Sequence, residues 1–390
     1  MQVMRAFKYK IYPDSTRKEK IDARLSLLCT LYNKTLEKLH FEYRKNNDLS
    51  LDIPTIRRYV DESAAASPEL SSIPSSDRAE IARKLFRSYK TFLARKAAKA
   101  SGRKIKARFL PFKSPLDYKS MFFYKNSSDF YITLDKDYAT LTIPEIGRVR
   151  IKLYRDIEGL VRMLVIKRYA GSYYAIFVSS LELDPDPVDV FKNPVGVDLG
   201  LNNFVMLSNG VSLDKPKFVK QRASKVAKLR KRVNKRKKGS KRRAEAVMRL
   251  QRELAYTANQ SLDFSYKAAR QLLDQGFTVI FLEKLNIEGM VHNHSLAGSI
   301  LNASWGKFTQ ILRYKAESEG VKVIKVPSKD TTRKCSRCGY INKVKLGQSI
   351  YRCDSCGLII NRDLNAATNI LKIGLALLKK EMGTAGPVGG

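Results

Sequence analysis

The sequence predicts a multidomain α+β chain: a small β-barrel interrupted by a helical insertion, then an α/β domain interrupted by a four-cysteine module. Three observations carry this. A helical pattern separates an opening alternating strand from a later series of short alternating strands. Three carboxylates, Asp198, Glu283 and Asp363, each end an apolar strand-like run or head a helix. Two Cys-x-x-Cys pairs stand just ahead of the last of them.

In Met4 to Tyr12, Phe7, Tyr9 and Ile11 share one face while Lys8 and Lys10 fall on the other, the period of a strand. Pro13-Asp14 ends it, and Ser15 or Thr16 can cap a helix after it. Ile21, Leu25, Leu28, Tyr32 and Leu36 then recur at helical spacing. A Ser/Ala/Pro-rich connection covers Asp61 to Ser76, and a second helix runs from Arg78 to Lys99 with Ile81, Leu85, Tyr89 and Leu93 on one face. From Phe109 to Leu183 short strands alternate with turns, and Ala170-Gly-Ser172 is a hairpin signal. Even spacing of short strands favours a barrel. Asp184-Pro-Asp-Pro187 reads as a linker.

The second half opens on Val195-Gly-Val-Asp-Leu-Gly200 and continues through two long helices to the buried run Phe277-Thr-Val-Ile-Phe-Leu282. A helix from Trp305 to Tyr314, a strand from Val321 to Val326 and a last helix from Asn365 to Lys380 complete it, with a loose tail from Gly383.

The chain has 390 residues and a net charge of +37, from 74 Lys and Arg against 37 Asp and Glu. Such a field attracts polyanions and makes binding salt-dependent. Sixteen Lys or Arg fall between Lys215 and Arg243, a density that would repel itself without phosphates nearby. Lys228, Arg230, Lys231, Arg232, Lys235, Arg236, Lys237 and Lys238 are the candidate backbone contacts. No apolar run approaches the roughly 20 residues of a membrane span. Met1-Gln-Val-Met-Arg-Ala-Phe7 lacks the apolar core of a signal peptide. Four of the five cysteines are clustered, unlike a secreted disulfide framework, so a reducing, cytoplasmic compartment is expected. Cys29 falls in an apolar helical pattern as a core residue.

Cys335-Ser-Arg-Cys338 and Cys353-Asp-Ser-Cys356, fourteen residues apart, have the spacing of a closed tetrahedral Zn²⁺ site of structural type. Gly339 and Gly357 permit the tight turns. Asp198, Glu283 and Asp363 suit two Mg²⁺ ions, which take oxygen ligands and need few carboxylates. Asp198 would bridge both ions, Glu283 would serve one and Asp363 the other. Gly196 and Gly200 leave room for backbone approach. Asn361 and Asp363 can equally cap the last helix. Two metals in a basic protein suggest a nuclease. The order Asp, Glu, Asp favours a RuvC-like nuclease over a DDE-type strand-transfer enzyme, whose order is Asp, Asp, Glu. His292-Asn-His294 is adjacent in sequence and cannot converge as an HNH site does.

These residues resemble the TnpB family, encoded by IS200/IS605 and IS607 transposons, ancestor-like relatives of the Cas12 effectors. Met4 to Pro13 looks like the family's opening strand. Gly196-Val-Asp-Leu-Gly200 and Phe281-Leu-Glu-Lys-Leu285 resemble its first two RuvC motifs. Ala303 to Phe308, the cysteine module and Arg362 to Asn369 come next in family order. The resemblance implies a wedge, OB-like barrel at 1–14 and 106–186 and a helical recognition lobe at 15–105. It further implies an RNase H-like RuvC domain at 190–329 and 358–380, a zinc finger at 330–357 and a flexible tail at 381–390. It implies an RNA-guided DNA endonuclease of the prokaryotic cytoplasm and nucleoid. Its partners would be a transposon-derived guide (omega) RNA and double-stranded target DNA bearing a short adjacent motif, with no membrane. Asp198, Glu283 and Asp363 would be its catalytic acids, and Cys335, Cys338, Cys353 and Cys356 its zinc ligands. Where the family often has Asp two positions before the last acid, this chain has Asn361. The other readings are a nuclease-dead RNA-guided DNA-binding regulator and a transposition accessory protein; monomer and homodimer both stay open.

Overall fold

The structure, a computed structural model, describes residues 2–47, 49–103, 105–125, 130–134, 139–183, 189–200, 203–214, 218–284, 305–344 and 348–384; side chains at 218–220 and 382–384 are excluded. His292-Asn-His294, the linker at 184–187, Lys215, Lys217, Leu285 and the tail beyond 384 lie outside them. Two compact units divide the chain between Leu183 and Asp184.

The first unit is built on a curled antiparallel sheet of seven strands. In chain order these are β1 (Gln2–Tyr12), β2 (Ser120–Tyr124), β3 (Tyr131–Leu134), β4 (Ala139–Ile143), β5 (Gly147–Lys152), β6 (Leu160–Tyr169) and β7 (Ser172–Glu182). They pair in the order β2-β6-β7-β1-β5-β4-β3, with β2 and β3 as the edges among the described residues. The β6–β7 hairpin turns at Ala170 and Gly171, both at positive φ, as a tight two-residue turn requires.

Four helices are inserted between β1 and β2: α1 (Ser15–Lys45), α2 (Ile53–Ala64), α3 (Pro68–Ser71) and α4 (Ser75–Ala100). Asp14 caps α1 by accepting from the Arg17 N–H at 2.9 Å. Ile21, Leu25, Leu28, Tyr32, Leu36 and Cys29 are all buried on α1. The Ser/Ala/Pro-rich stretch is more ordered than its composition suggests. Asp52 caps α2 with Pro54 in its first turn, and Ser67 caps α3 ahead of Pro68, so these Pro residues start helices. On α4, Phe92 takes the buried position expected of Leu93, which is exposed. The helices and the inner face of the sheet share one apolar core. Arg24 pairs with buried Asp77 at 2.7 Å, and Arg168 on β6 pairs with Asp22 on α1 at the same distance.

The second unit centres on a five-stranded mixed sheet of order β10-β9-β8-β11-β12. Its strands are β8 (Pro194–Asp198), β9 (Asn203–Leu207), β10 (Ser212–Asp214), β11 (Val279–Glu283) and β12 (Lys322–Val326). The helices are α5 (Phe218–Asn234), α6 (Lys241–Leu273), α7 (Trp305–Ser318) and α8 (Arg362–Thr384). β8, β11 and β12 run parallel, while β9 and β10 fold back as a meander.

Side chains on a strand alternate between faces. Val195, Val197, Ile280 and Leu282 pack with α6 and α7 on one face. Val279, Phe281 and Val326 pack with Ile370 and Leu378 of α8 on the other. Gly196 and Phe281 are register partners on that second face. A Cβ on Gly196 would lie 2.1 Å from the Ala367 carbonyl oxygen, and one on Gly374 would lie 2.2 Å from the Phe281 ring. Two glycines, one on the strand and one on the helix, therefore let α8 lie directly on β8 and β11. Between β12 and α8 sits the cysteine module, with the short antiparallel pair β13 (Ile350–Arg352) and β14 (Ile359–Asn361). Among the described residues no helix is long and apolar enough to cross a membrane.

Candidate metal centre and nucleic-acid face

Strand parity places the acids. Asp198 is two residues after Gly196, and Glu283 two after Phe281, so both carboxylates project on the face covered by α8. The pairing of Leu282 with Val197 brings them to the C-terminal ends of adjacent parallel strands. Asp363 stands in the first turn of α8, over the turn just past Asp198. Its Oδ2 lies 3.5 Å from where a Cβ on Gly200 would be. Each acid comes from a different element, and the glycine-permitted docking of α8 joins the third to the first two.

This placement sets the electrostatics. Burial, then the nearby charges of Glu283 and Asp363, push the Asp198 carboxyl up to about 8, against a smaller opposing effect of Arg362. Burial also raises Glu283, opposed by a hydrogen bond that its Oε1 accepts from Thr331 Oγ1 at 3.0 Å. The Arg362 guanidinium donates to Asp363 Oδ1 through Nε at 3.2 Å and Nη2 at 3.0 Å. Three carboxylates near one another, with Asp198 pushed up by burial and by its two acidic neighbours, suit a hard divalent cation, which would relieve the crowding at Asp198.

Asn361, at the position where Asp is frequent in the resembling family, accepts from the N–H groups of Asp363 at 2.9 Å and Leu364 at 3.1 Å. That side chain is occupied as the helix cap.

The four cysteines do converge. Their sulfurs all lie within 4.8 Å of one another, the tightest metal-ligating group among the described residues; the carboxylates are spread more widely. Cys335 and Cys356 sulfurs are 3.7 Å apart, and those of Cys338 and Cys353 are 3.5 Å apart. Each knuckle closes the same way: the Gly339 N–H donates to the Cys335 carbonyl and the Gly357 N–H to the Cys353 carbonyl, both at 3.0 Å. Both glycines have positive φ. Backbone hydrogen bonding from Tyr340 pulls the exposed Cys338 thiol down to about 6, and Cys356 is pushed up to about 11 by the neighbouring sulfurs and desolvation, which outweigh its own backbone donor at Leu358. Four sulfurs this close together can hold a metal ion.

The predicted phosphate contacts occupy one exposed end of a helical hairpin. Lys228, Arg230, Lys231 and Arg232 are on α5; Lys235, Arg236, Lys237 and Lys238 fill the turn to α6; all eight are exposed. The hairpin is braced by Glu253 of α6, which takes Arg222 and also Lys225 at 2.8 Å. Among the described residues none of the eight is spent on an ion pair.

Sequence reasoning passed over Thr331, Asn365, Asn369 and Gly374. The signal for the asparagines was present: two Asn four apart on an otherwise apolar helix face must find partners. Thr331 and Gly374 carry no comparable mark.

Two family models match the second unit: residues 180–294 match OrfB_IS605, described as "Probable transposase", and residues 305–370 match the "Cas12f1-like, TNB domain". Both fall in the expected order, and the second spans the cysteine module and the start of α8. Over these residues the chain is similar to the TnpB family. Among relatives of this chain, a Streptomyces pristinaespiralis protein named "Putative RNA-guided DNA endonuclease" is 27% identical over 96% of this chain and 90% of its own length. "TnpB-like protein L79" of Acanthamoeba polyphaga mimivirus is 32% identical over 47% of this chain and 38% of its own length. In fold, this chain is similar to the protein in the "Cryo-EM structure of the Cas12f1-sgRNA-target DNA complex". The TM-score is 0.58 at 13% identity, covering 95% of this chain and 98% of that one.

Proposed function

We propose that this chain is an RNA-guided DNA endonuclease with one RuvC-like site, in which Asp198, Glu283 and Asp363 hold two Mg²⁺ ions. The convergence of three carboxylates from β8, β11 and α8 on one face of the mixed sheet carries the reading. When bound, the ions would activate water and stabilise the leaving oxygen of a phosphodiester. The protein's own part is to hold the acceptors. Asp198, between the other two, is the natural shared ligand. The buried strands fix Asp198 and Glu283, the capped end of α8 fixes Asp363, and Arg362 offers a cation beside the cluster.

The five-stranded sheet with α8 across it is the RNase H-like core of this reading, and the curled sheet of the first unit its wedge, carrying the helical insertion as recognition lobe. The cysteine module is its zinc ribbon. A tetrahedron with Zn–S bonds of about 2.3 Å has S···S edges of about 3.8 Å, close to the 3.5 and 3.7 Å observed. With four thiolates and no open position, that zinc would be structural. The exposed cations from Lys228 to Lys238 would meet the phosphates of a guide RNA or opened target DNA, with sequence read by base pairing. The printed name of the Streptomyces pristinaespiralis relative supports the guided reading, while the first family model carries the description of a transposase.

The test is Asp198→Ala in the full chain with its co-purified RNA. Mg²⁺-dependent cleavage of a guide-matched duplex should vanish while RNA binding stays at the wild-type level. Retained cleavage would refute the metal assignment; absence of cleavage by the wild type under conditions of guided binding would favour the regulator instead.

A further inference from the structure

The loop between β12 and the first cysteine pair is anchored on two sides. Thr331, 2% exposed, donates from Oγ1 to Glu283 Oε1 at 3.0 Å, with the Ser328 carbonyl a second acceptor at 3.3 Å. The Thr331 carbonyl accepts from Asn369 Nδ2 at 2.9 Å. The same amide group donates to the Lys334 carbonyl at 2.7 Å, so both of its protons are used. One helical turn earlier, Asn365 donates to the Lys334 carbonyl and accepts from the Ser336 N–H, both at 2.8 Å. Asn365 and Asn369 are almost wholly buried. Buried amides with this degree of satisfaction fix geometry, because breaking any one strands a polar group away from water.

The chain of bonds therefore runs from Glu283 through Thr331 to Asn369, and along α8 to Asp363. It joins two acids eighty residues apart, and it passes through the loop that leads directly into Cys335. We infer that Thr331 is a positioning residue: held by Asn369, it fixes the Glu283 carboxylate, making the cysteine module's leading loop part of the acidic site. The inference rests on the reading of Asp198, Glu283 and Asp363 as a divalent-cation site. Partners that orient a ligand in this way matter nearly as much as the ligand itself; losing one costs roughly ten- to a hundredfold in metal affinity.

The test uses the full chain without nucleic acid and Mg²⁺ alone as probe, read as the concentration that gives half the ion-induced rise in melting temperature. A second readout is the Mg²⁺ midpoint of guided cleavage. Thr331→Val keeps shape and removes the hydroxyl; Thr331→Ala is a second variant that cannot crowd the site; Thr331→Ser restores the donor. Both hydroxyl-free variants should move the midpoint upward by roughly ten- to a hundredfold, with Ser close to wild type. Metal content at the four cysteines should be unchanged, which a merely collapsed module would not allow. Wild-type midpoints in both Val and Ala, or a Ser variant as impaired as Val, would overturn the inference. If Asp198→Ala leaves the Mg²⁺-induced stabilisation intact, the cation site itself is wrong and the role of Thr331 falls with it.

Discussion

Gly196→Ala tests how tightly α8 must sit on the sheet. The added methyl would lie 2.1 Å from the Ala367 carbonyl oxygen, 2.6 Å from the Leu371 nitrogen and 2.9 Å from the Leu371 Cβ. Two of these are backbone atoms in a continuous helix, so no side chain can swing aside. Carbon–oxygen contacts below about 3.3 Å are strongly repulsive, and the helix must retreat by roughly 1 Å. Overpacking of this kind costs about 1–3 kcal/mol. In a unit of this size each kcal/mol lowers the melting temperature by about 2–4 °C. The functional cost should be larger than the loss of stability suggests. Asp363 is one turn from Ala367, so the retreat carries it away from Asp198 and Glu283, and a displacement near 1 Å can cost about a hundredfold in rate. The assay is single-turnover cleavage of a guide-matched duplex at saturating Mg²⁺, well below the variant's melting temperature. Gly210→Ala is the control: its φ of +91° carries backbone strain, but the methyl meets nothing within 4 Å. It should lose about 1 kcal/mol and keep its rate. A Gly196→Ala protein that cuts at the wild-type rate would refute the argument that helix–strand contact sets the acid geometry.

Two further outcomes are expected. The Asp198 carboxyl is held at about 8 in the folded chain against 3.8 for the free residue. The fold therefore has its full stability below pH 4 as far as this group is concerned and loses it as pH rises towards 8. Asp198→Asn should melt with the wild type near pH 4 and be more stable by on the order of 5 kcal/mol at pH 8 without divalent ions, an advantage that added Mg²⁺ should erase; parallel melting curves across that window would contradict the crowding of the three acids. Replacing Lys235, Arg236, Lys237 and Lys238 by Gln should flatten the dependence of RNA affinity on salt. The log–log slope should fall by about 0.7 for each single-strand phosphate no longer neutralised, and an unchanged slope would place the RNA elsewhere.

What could be read in advance was local. Asp198 and Glu283 end buried β-strands because apolar runs such as Val279 to Leu282 have nowhere to go but a sheet centre, and their carboxylates fall at the half-buried C-terminal end. The cysteine pairs were legible because two short knuckles are fixed by chain geometry over a few residues. Gly196 was legible as a place of close approach, but its partner was not: α8 begins more than 160 residues later. Gly374 and Thr331 were hidden for the same reason, since their roles exist only once distant elements have met. In the first unit the Ser/Ala/Pro composition of Asp61 to Ser76 hides α3, which Ser67 and Pro68 start, while α2, most of which precedes that stretch, went unread. Leu93 was misplaced by one position because α4 turns Phe92 inward instead.

Helix α8 is late in the chain yet central in space: it covers the middle strands, brings Asp363 and anchors the loop ahead of the cysteines. A ribosome making this protein will already have released both earlier acids and the basic hairpin before that helix exists. If the chain is the guided nuclease proposed above, the nascent polypeptide holds an RNA well before it can cut anything. On that same reading, a transcript truncated ahead of Asn361 would leave a scissors with one blade, able to grip but harmless to the chromosome.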